Sequence, residues 1–351
     1  MGLNLRALLN PAMVSHRDLA GETVAVDAYG MLYQFLTTLR DARGELLADR
    51  HGNTISHLIG LVSKTQELLS AGIRPVYVFD GPPHPLKMQT LKKRAESKDA
   101  ARLKLIEAIE ARDRDAIRRL SGQTTYVTDE MVASATALLD ACGLPYVMAP
   151  QDGEAQCAAL VATGAVDAAA SQDYDTLVYG APRVLRNLTS TKRETEEVLL
   201  ASLEIDHGLD RDRLVDLALL VGNDFHDGVK GVGPAGAVRV LKAHGSLAAF
   251  FDKCDNGHVP KNAAEKRVAA AVGELRSDVA EKVRELFLRP HVLDELSLSP
   301  GNPDATTIHE RLVEVHGFSE GRADTFATTV VTHFERFQAT SRVPVQTRLA
   351  G

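Results

Sequence analysis

Long apolar runs are missing from this sequence. None of its 351 residues falls in a stretch of about 18 consecutive apolar positions, the length a membrane-spanning helix needs. The opening Met1-Gly2-Leu3-Asn4-Leu5-Arg6 also lacks an apolar core followed by a small-residue cleavage site. A membrane span and a secretory leader are therefore not expected, and an intracellular protein is. Cysteine is scarce: Cys142, Cys157 and Cys254 form no Cys-x-x-Cys pair, so a disulfide framework or a structural zinc site has nothing to rest on. Packed, reduced thiols are expected instead. Internal repeats and low-complexity tracts are absent. So is a basic excess: the net charge is −7, whereas phosphate binding normally leaves a basic footprint. The total conceals a local reversal, because Leu86 to Leu120 carries eleven Lys/Arg against six Asp/Glu.

What is present is a chain with 44% hydrophobic residues, long enough to bury a large core. Its first two-thirds alternate short apolar runs with helical periodicities, which predicts α/β folding about a mainly parallel sheet flanked by helices. Strands are expected at Thr23–Asp27, Pro75–Asp80, Pro145–Ala149, Ala165–Ala170 and Arg183–Leu188. Helices are expected at Ile55–Ala71, with Gly72 as its cap, at about Asp129–Ala141 and at about Gly153–Thr163. From Pro85 to about Gln123 the chain turns charged and weakly apolar, predicting helices that stand partly off the core. Gln338–Gly351 loses periodicity and reads as a mobile tail.

Ligands of open α/β sheets bind beyond the carboxyl ends of the strands, so acids at those positions carry weight. Asp27 ends one predicted strand and Asp80 the next; Asp152 and Glu154 follow the third, and Asp173 and Asp175 the fourth. Asp224 ends an apolar helix. Singly, each has an ordinary explanation as a helix cap or turn former. Jointly they would repel one another unless cations neutralised them. Oxygen donors without His or Cys favour Mg²⁺ or Mn²⁺, and two such ions about 4 Å apart would serve phosphodiester hydrolysis.

Val26-Asp27-Ala28, Tyr77-Val78-Phe79-Asp80-Gly81-Pro82-Pro83, Ala149-Pro150-Gln151-Asp152-Gly153-Glu154-Ala155, Ser171-Gln172-Asp173-Tyr174-Asp175 and Gly222-Asn223-Asp224-Phe225 through Gly231-Val232-Gly233-Pro234 carry a resemblance. In order and spacing they resemble the flap endonuclease family of structure-specific 5′ nucleases, most closely its archaeal and eukaryotic replication enzymes, from Met1 to about Phe334. The resemblance implies an endonuclease that cuts 5′-flap DNA near the single-strand/double-strand junction, in Okazaki-fragment maturation and repair, with 5′→3′ exonuclease activity a further expectation. Asp27, Asp80, Asp152, Glu154, Asp173, Asp175 and Asp224 match the metal-binding acids, implying two Mg²⁺ or Mn²⁺ ions. Lys87 and Arg94 match the basic pair that stabilises the scissile phosphate. Tyr33 matches an aromatic that stacks on a base near the cut, Arg40 a residue near the bend in the DNA, and Gly2 a further DNA contact.

Leu86–Gln123 corresponds to the gateway and cap through which a flap passes. Gly228–Pro234 followed by Ala235–His244 resembles the helix–two-turn–helix, with Lys230, Gly231, Gly233, Arg239 and Lys242 expected on DNA. The implied division is one nuclease domain over 1–337: a part to about 125 that includes the cap at about 85–123, an internal part over about 126–260 with the helix–two-turn–helix at about 212–244, and a helical part over about 261–337.

Three departures stand out. Asp152 occupies a position where the family usually has Glu, shortening its reach by one methylene. Ala235 and Gly236 stand where relatives often carry basic residues, thinning the grip on the duplex. Gln346-Thr347-Arg348-Leu349 resembles the start of a sliding-clamp-binding peptide without its aromatic anchors, so clamp binding is expected to be weak, with Gln346 and Leu349 as its remaining contacts. A monomer is expected. A junction nuclease or exonuclease sharing the metal site, and a non-catalytic branched-DNA scaffold, are the alternatives; the cap length speaks against the former and the full set of seven acids against the latter.

Overall fold

The computed structural model describes residues 3–341 except 42 and 191, and their side chains apart from those of 114, 118, 340 and 341. Its centre is a seven-stranded sheet in the order β1-β7-β6-β5-β2-β3-β4. The strands are β1 (Ala12–Val14), β2 (Thr23–Asp27), β3 (Arg74–Phe79), β4 (Tyr146–Met148), β5 (Ala168–Ala170), β6 (Arg183–Arg186) and β7 (Thr195–Leu199). β4, β3, β2, β5 and β6 run parallel; at one edge β7 pairs antiparallel with β6, and β1 pairs antiparallel with β7. All five expected strands form. β1 and β7 were not anticipated. β7 contains two glutamates, and they are tolerated because Glu197 meets Arg183 at 2.6 Å across the ladder while Glu196 faces Arg186 at 3.3 Å.

Alternation along the parallel strands divides the core into two layers, as a period of two requires when both faces are covered. Val24, Val26, Tyr77, Phe79, Ala168 and Ala170 point to one face. There they meet α1 (Ala28–Thr38), α2 (Ser56–Ser70) and α5 (Asp129–Cys142), together with α15 (Ala305–Glu310) and α16 (Glu320–Ser341). Ala25, Val76, Val78, Val147, Ala169 and Val184 point to the other. That face is covered by α6 (Gly153–Ala162), α7 (Asp175–Val178), α8 (Leu200–His207), α9 (Arg211–Val221), α10 (Pro234–His244), α11 (Leu247–Asp255), α12 (Ala263–Ala270), α13 (Val272–Leu275) and α14 (Asp278–Leu288).

Caps set the helix boundaries. Thr128 accepts from the Met131 amide at the start of α5, whose end is closed by Gly143 at φ +61°. Gly72, at φ +81°, follows α2 as expected. The expected cap segment is a short 3-10 turn (Pro85–Lys87) leading into α3 (Met88–Glu110), then α4 (Arg114–Gln123). These two helices share a small apolar cluster of their own, Ala101, Ala108 and Leu120, separate from the two main layers. Between α14 and α15, residues 289–304 lack regular structure and join the two sides of the sheet. Gln156 exchanges both amide hydrogen bonds with the Leu293 backbone, at 2.7 and 3.1 Å, and Gly301 N donates to Gly143 O. α16 continues to Ser341, past the expected start of the tail at 338. Gln346 and Leu349, like Gly2, lie outside the described residues.

Candidate functional site

Parallel strands deliver their carboxyl ends to one edge, and β2 is where the chain order reverses: it passes to β3 and β4 on one side and returns to β5 on the other. Asp27 closes β2, Asp80 follows β3, Asp152 and Glu154 straddle the start of α6, Asp173 lies between β5 and α7, and Asp175 opens α7. Asp224 arrives from the turn after α9, where Asn223 accepts from the Phe225 and His226 amides and shapes the loop. The structure thus brings the seven predicted acids to the same edge. Carboxylate oxygens of Glu154, Asp173 and Asp175 lie within 4.8 Å of one another.

Backbone amides hold several of these groups. Asp27 accepts from Gly30 N at 2.8 Å, so the ordinary reading of a strand-end Asp as a helix cap also holds, on one of its oxygens. Asp80 accepts from Gly153 N at 2.6 Å, and Asp175 from Leu3 N at 3.3 Å. Glycine is required twice here. A Cβ on Gly30 would sit 2.3 Å from an Asp27 oxygen, and one on Gly153 2.7 Å from an Asp80 oxygen. The carboxylates keep that space.

Electrostatics penalises the cluster as it stands. Burial, with the Asp80 charge next in weight, raises Asp27 to about 7. Asp80 and Asp173 are also raised, chiefly by burial. Glu154 and Asp175 are pushed well above the usual carboxylate range by burial and then by Asp173. Five like-charged groups in one partly desolvated place form a site that divalent cations relieve. An all-oxygen donor set fits hard ions, and the residues present therefore fit the metals expected from the sequence.

Lys87 and Arg94 partly neutralise the site. Lys87 Nζ lies 2.6 Å from Asp152 Oδ1 and 3.8 Å from Asp224 Oδ2, and Arg94 Nη2 lies 2.5 Å from Asp224 Oδ1. Burial works against the Lys87 charge, but Asp152 and its neighbours outweigh it and hold the ammonium above its ordinary value. Asp152, the shortened acid, is gripped from the other side by the Tyr179 hydroxyl at 2.9 Å. Tyr179 was not anticipated, since nothing in the sequence joins it to Asp152.

Beside the acids opens a cleft of about 1280 Å³, bounded by α1, α2 and α3 and lined among others by Asp27, Tyr33, Arg94, Glu154 and Asp173. Tyr33 presents its ring there, with Lys98 Nζ 5.5 Å from its centroid and 3.9 Å from that of Tyr126. Lys98, Lys192 and Arg193 add positive charge to this wall without having been singled out beforehand. The Lys192-Arg193 dipeptide was the available signal. Arg40 is turned inward: Nη1 donates to Gly44 O at 2.8 Å and Nη2 to the Thr125 hydroxyl.

The glycine turn is a separate surface. Lys230, Gly231 and Gly233 are exposed ahead of α10, and Arg239 and Lys242 are exposed along it. Gly233 is the N-cap and Pro234 the first helical residue. Arg267, from α12, donates to Gly231 O at 2.6 Å and adds an unforeseen cation to that surface.

Comparison with known proteins agrees with this geometry. The profile of the XPG N-terminal domain matches residues 1–101 and that of the XPG I-region residues 143–224. Flap endonuclease 1 of Methanocella arvoryzae is 38% identical over 338 residues, covering 92% of this chain and 93% of its own. Among solved structures, flap endonuclease-1 from Methanococcus jannaschii aligns with a TM-score of 0.74 at 34% identity, over 96% of this chain and all of that one. The catalytic core of Rad2, solved in complex with a DNA substrate, aligns at 0.71 and 28% identity over 91% of this chain and 96% of its own.

Proposed function

The chain belongs to the flap endonuclease family of structure-specific nucleases, and from that premise we propose how its residues carry out DNA hydrolysis. It is a structure-specific flap endonuclease, a metal-dependent nuclease of the kind that acts in replication and repair. Asp27, Asp80, Asp152, Glu154, Asp173, Asp175 and Asp224 hold two divalent cations, Mg²⁺ or Mn²⁺. When bound, such a pair supplies Lewis acidity to the phosphate and lowers the pKa of water. The single observation that supports this assignment most is the convergence of those carboxylates on one sheet edge, where oxygens of Glu154, Asp173 and Asp175 lie within 4.8 Å of one another.

Lys87 and Arg94 are the phosphate-binding cations. Each is now engaged by a carboxylate, and a phosphodiester entering the site exchanges those contacts for contacts to its own oxygens. Because negative charge grows on those oxygens as the bond breaks, the two cations act mainly in the transition state. Tyr33 stacks on the base next to the scissile bond, reading no sequence and fixing the strand's position. The helices α3 and α4 form the gateway over a single-stranded 5′ flap. The turn Lys230–Gly233 with Arg239 and Lys242 grips the backbone of the duplex arm, branched DNA with a 5′ flap being the substrate. Arg40, held by Gly44 and Thr125, shapes the bend of the DNA by supporting the α1 end. The division into one nuclease domain over 1–337 and a tail that binds a sliding clamp weakly or not at all belongs to this same proposal.

End-labelled double-flap, nicked and four-way-junction DNA, each with Mg²⁺ and with EDTA, tests it. The expected product is a single cut near the base of the flap, abolished by EDTA. Preferred cutting of the four-way junction, or cutting in EDTA, would overturn it.

A further inference from the structure

Beyond the helix–two-turn–helix lies a polar cluster with no part in the chemistry proposed above. His244 ends α10, His258 follows α11, and Glu265 lies in the first turn of α12. His244 Nε2 stands 3.5 Å from Glu265 Oε1, and His258 Nε2 stands 3.5 Å from Glu265 Oε2. The His244 and Glu265 side chains are only 6% and 4% exposed. Both Nε2 atoms are buried without a hydrogen-bond partner, a costly arrangement for a polar group.

The surroundings fix all three groups. The His244 ring packs against Phe250 at 4.7 Å between centroids and against His258 at 5.1 Å. Glu265 is oriented by the Lys261 amide at 2.7 Å and by Asn262 Nδ2 at 2.8 Å. Outer partners of this kind are what orient the ligands of a metal site. Spacing agrees as well. Donors about 2.0–2.1 Å from a tetrahedral zinc ion stand roughly 3.3–3.4 Å apart. The 3.5 Å separations match that, and one donor atom from each residue falls within 4.8 Å of the others.

We propose that His244, His258 and Glu265 form a second metal site, for a borderline transition ion such as Zn²⁺, which ties the end of α10 to α12. Two imidazoles and a carboxylate suit Zn²⁺ and disfavour Mg²⁺, so this centre differs in chemistry from the all-oxygen one at the sheet edge. Lys253 Nζ, 3.4 Å from His244 Nδ1, is exposed and turns into solvent when that nitrogen carries the proton. Arg267 already joins α12 to Gly231 ahead of α10. The ion therefore braces the far end of the helix whose near end carries the glycine turn.

The test is calorimetric titration of Zn²⁺, in buffer containing Mg²⁺, into protein with Asp173→Asn and Asp175→Asn, and into the same protein with His258→Gln added. These background changes weaken Zn²⁺ capture by the sheet-edge acids, and the readout does not pass through nuclease activity. One Zn²⁺ per chain is expected, with affinity falling at least about 100-fold in the His258→Gln protein, the top of the range that outer partners alone command. Zn²⁺ should raise the melting temperature only where His258 is present, and Co²⁺ in its place should give a visible tetrahedral absorption that His258→Gln removes. His258 lies in a loop and its side chain is 18% exposed, so the variant should fold, which a metal-free melting curve checks. Failure to bind Zn²⁺, or binding that His258→Gln leaves unchanged, overturns the site.

Discussion

Replacing Asp27 by Asn should make the metal-free protein more stable and the enzyme inactive. Burial and the Asp80 charge raise the folded-state pKa of Asp27 from 3.8 to about 7. The sign follows from proton linkage. With the folded pKa above the unfolded one, the folded state binds more protons between those values, so stability falls as pH rises through that window and the penalty is complete above it. A shift of about three units corresponds to roughly 4 kcal/mol. Because the side chain lines an open cleft, solvent screening reduces this to about 2 kcal/mol. Asn keeps the acceptor for Gly30 N, and so the cap of α1, while removing the charge. For a protein of this size that corresponds to a melting temperature about 3 °C higher at about pH 8 in EDTA. Near pH 4 the two proteins should melt together. With saturating Mg²⁺ the order should reverse, since only the parent gains the full free energy of binding. Differential scanning calorimetry in EDTA across this pH range is the assay. An Asn protein no more stable than the parent at pH 8, or equally stabilised at pH 4, would refute the view that repulsion at the sheet edge strains the metal-free fold.

Asp173→Ala and Asp224→Ala should each abolish cutting while leaving flap-DNA affinity within about tenfold, as gel-shift and cleavage assays run in parallel would show; full activity in both removes the proposed metal centre. Lys87→Ala should lower the single-turnover rate with little change in DNA affinity, whereas equal rates at saturating DNA with weakened binding would mean that it only holds substrate. Arg267→Ala should weaken duplex binding about uniformly across sequences and lower the salt dependence by about one counterion, and an unchanged slope in a salt titration would exclude Arg267 from the phosphate contacts.

The parallel strands and the acids that end them were legible in the sequence for one reason: a buried strand needs a continuous apolar run, and a charge that stops the run marks the sheet edge. β1 and β7 escaped because they break that rule. β1 is three mostly exposed residues, and the glutamates of β7 find partners on β6 and at Arg6. Tyr179 against Asp152, and Arg267 against Gly231, depend on helices that meet only when folded, so no spacing along the chain encodes them. The expectation that no structural zinc site has a foundation rested on the cysteines. His244, His258 and Glu265 sit on three separate elements with no ligand motif between them, and only folding assembles them.

Residues 289–304 carry the chain from one side of the sheet to the other, and this has a bearing on synthesis. The layer over α2 and α5 is completed by α15 and α16, which lie beyond that strap. Until residues 305–341 have left the ribosome, the helices made first therefore keep an uncovered oily face, although every acid of the sheet edge has already been translated. Such an order of assembly leaves the sheet edge without a finished support until α15 and α16 are made, so the acids are translated well before the layer beneath α2 and α5 is closed.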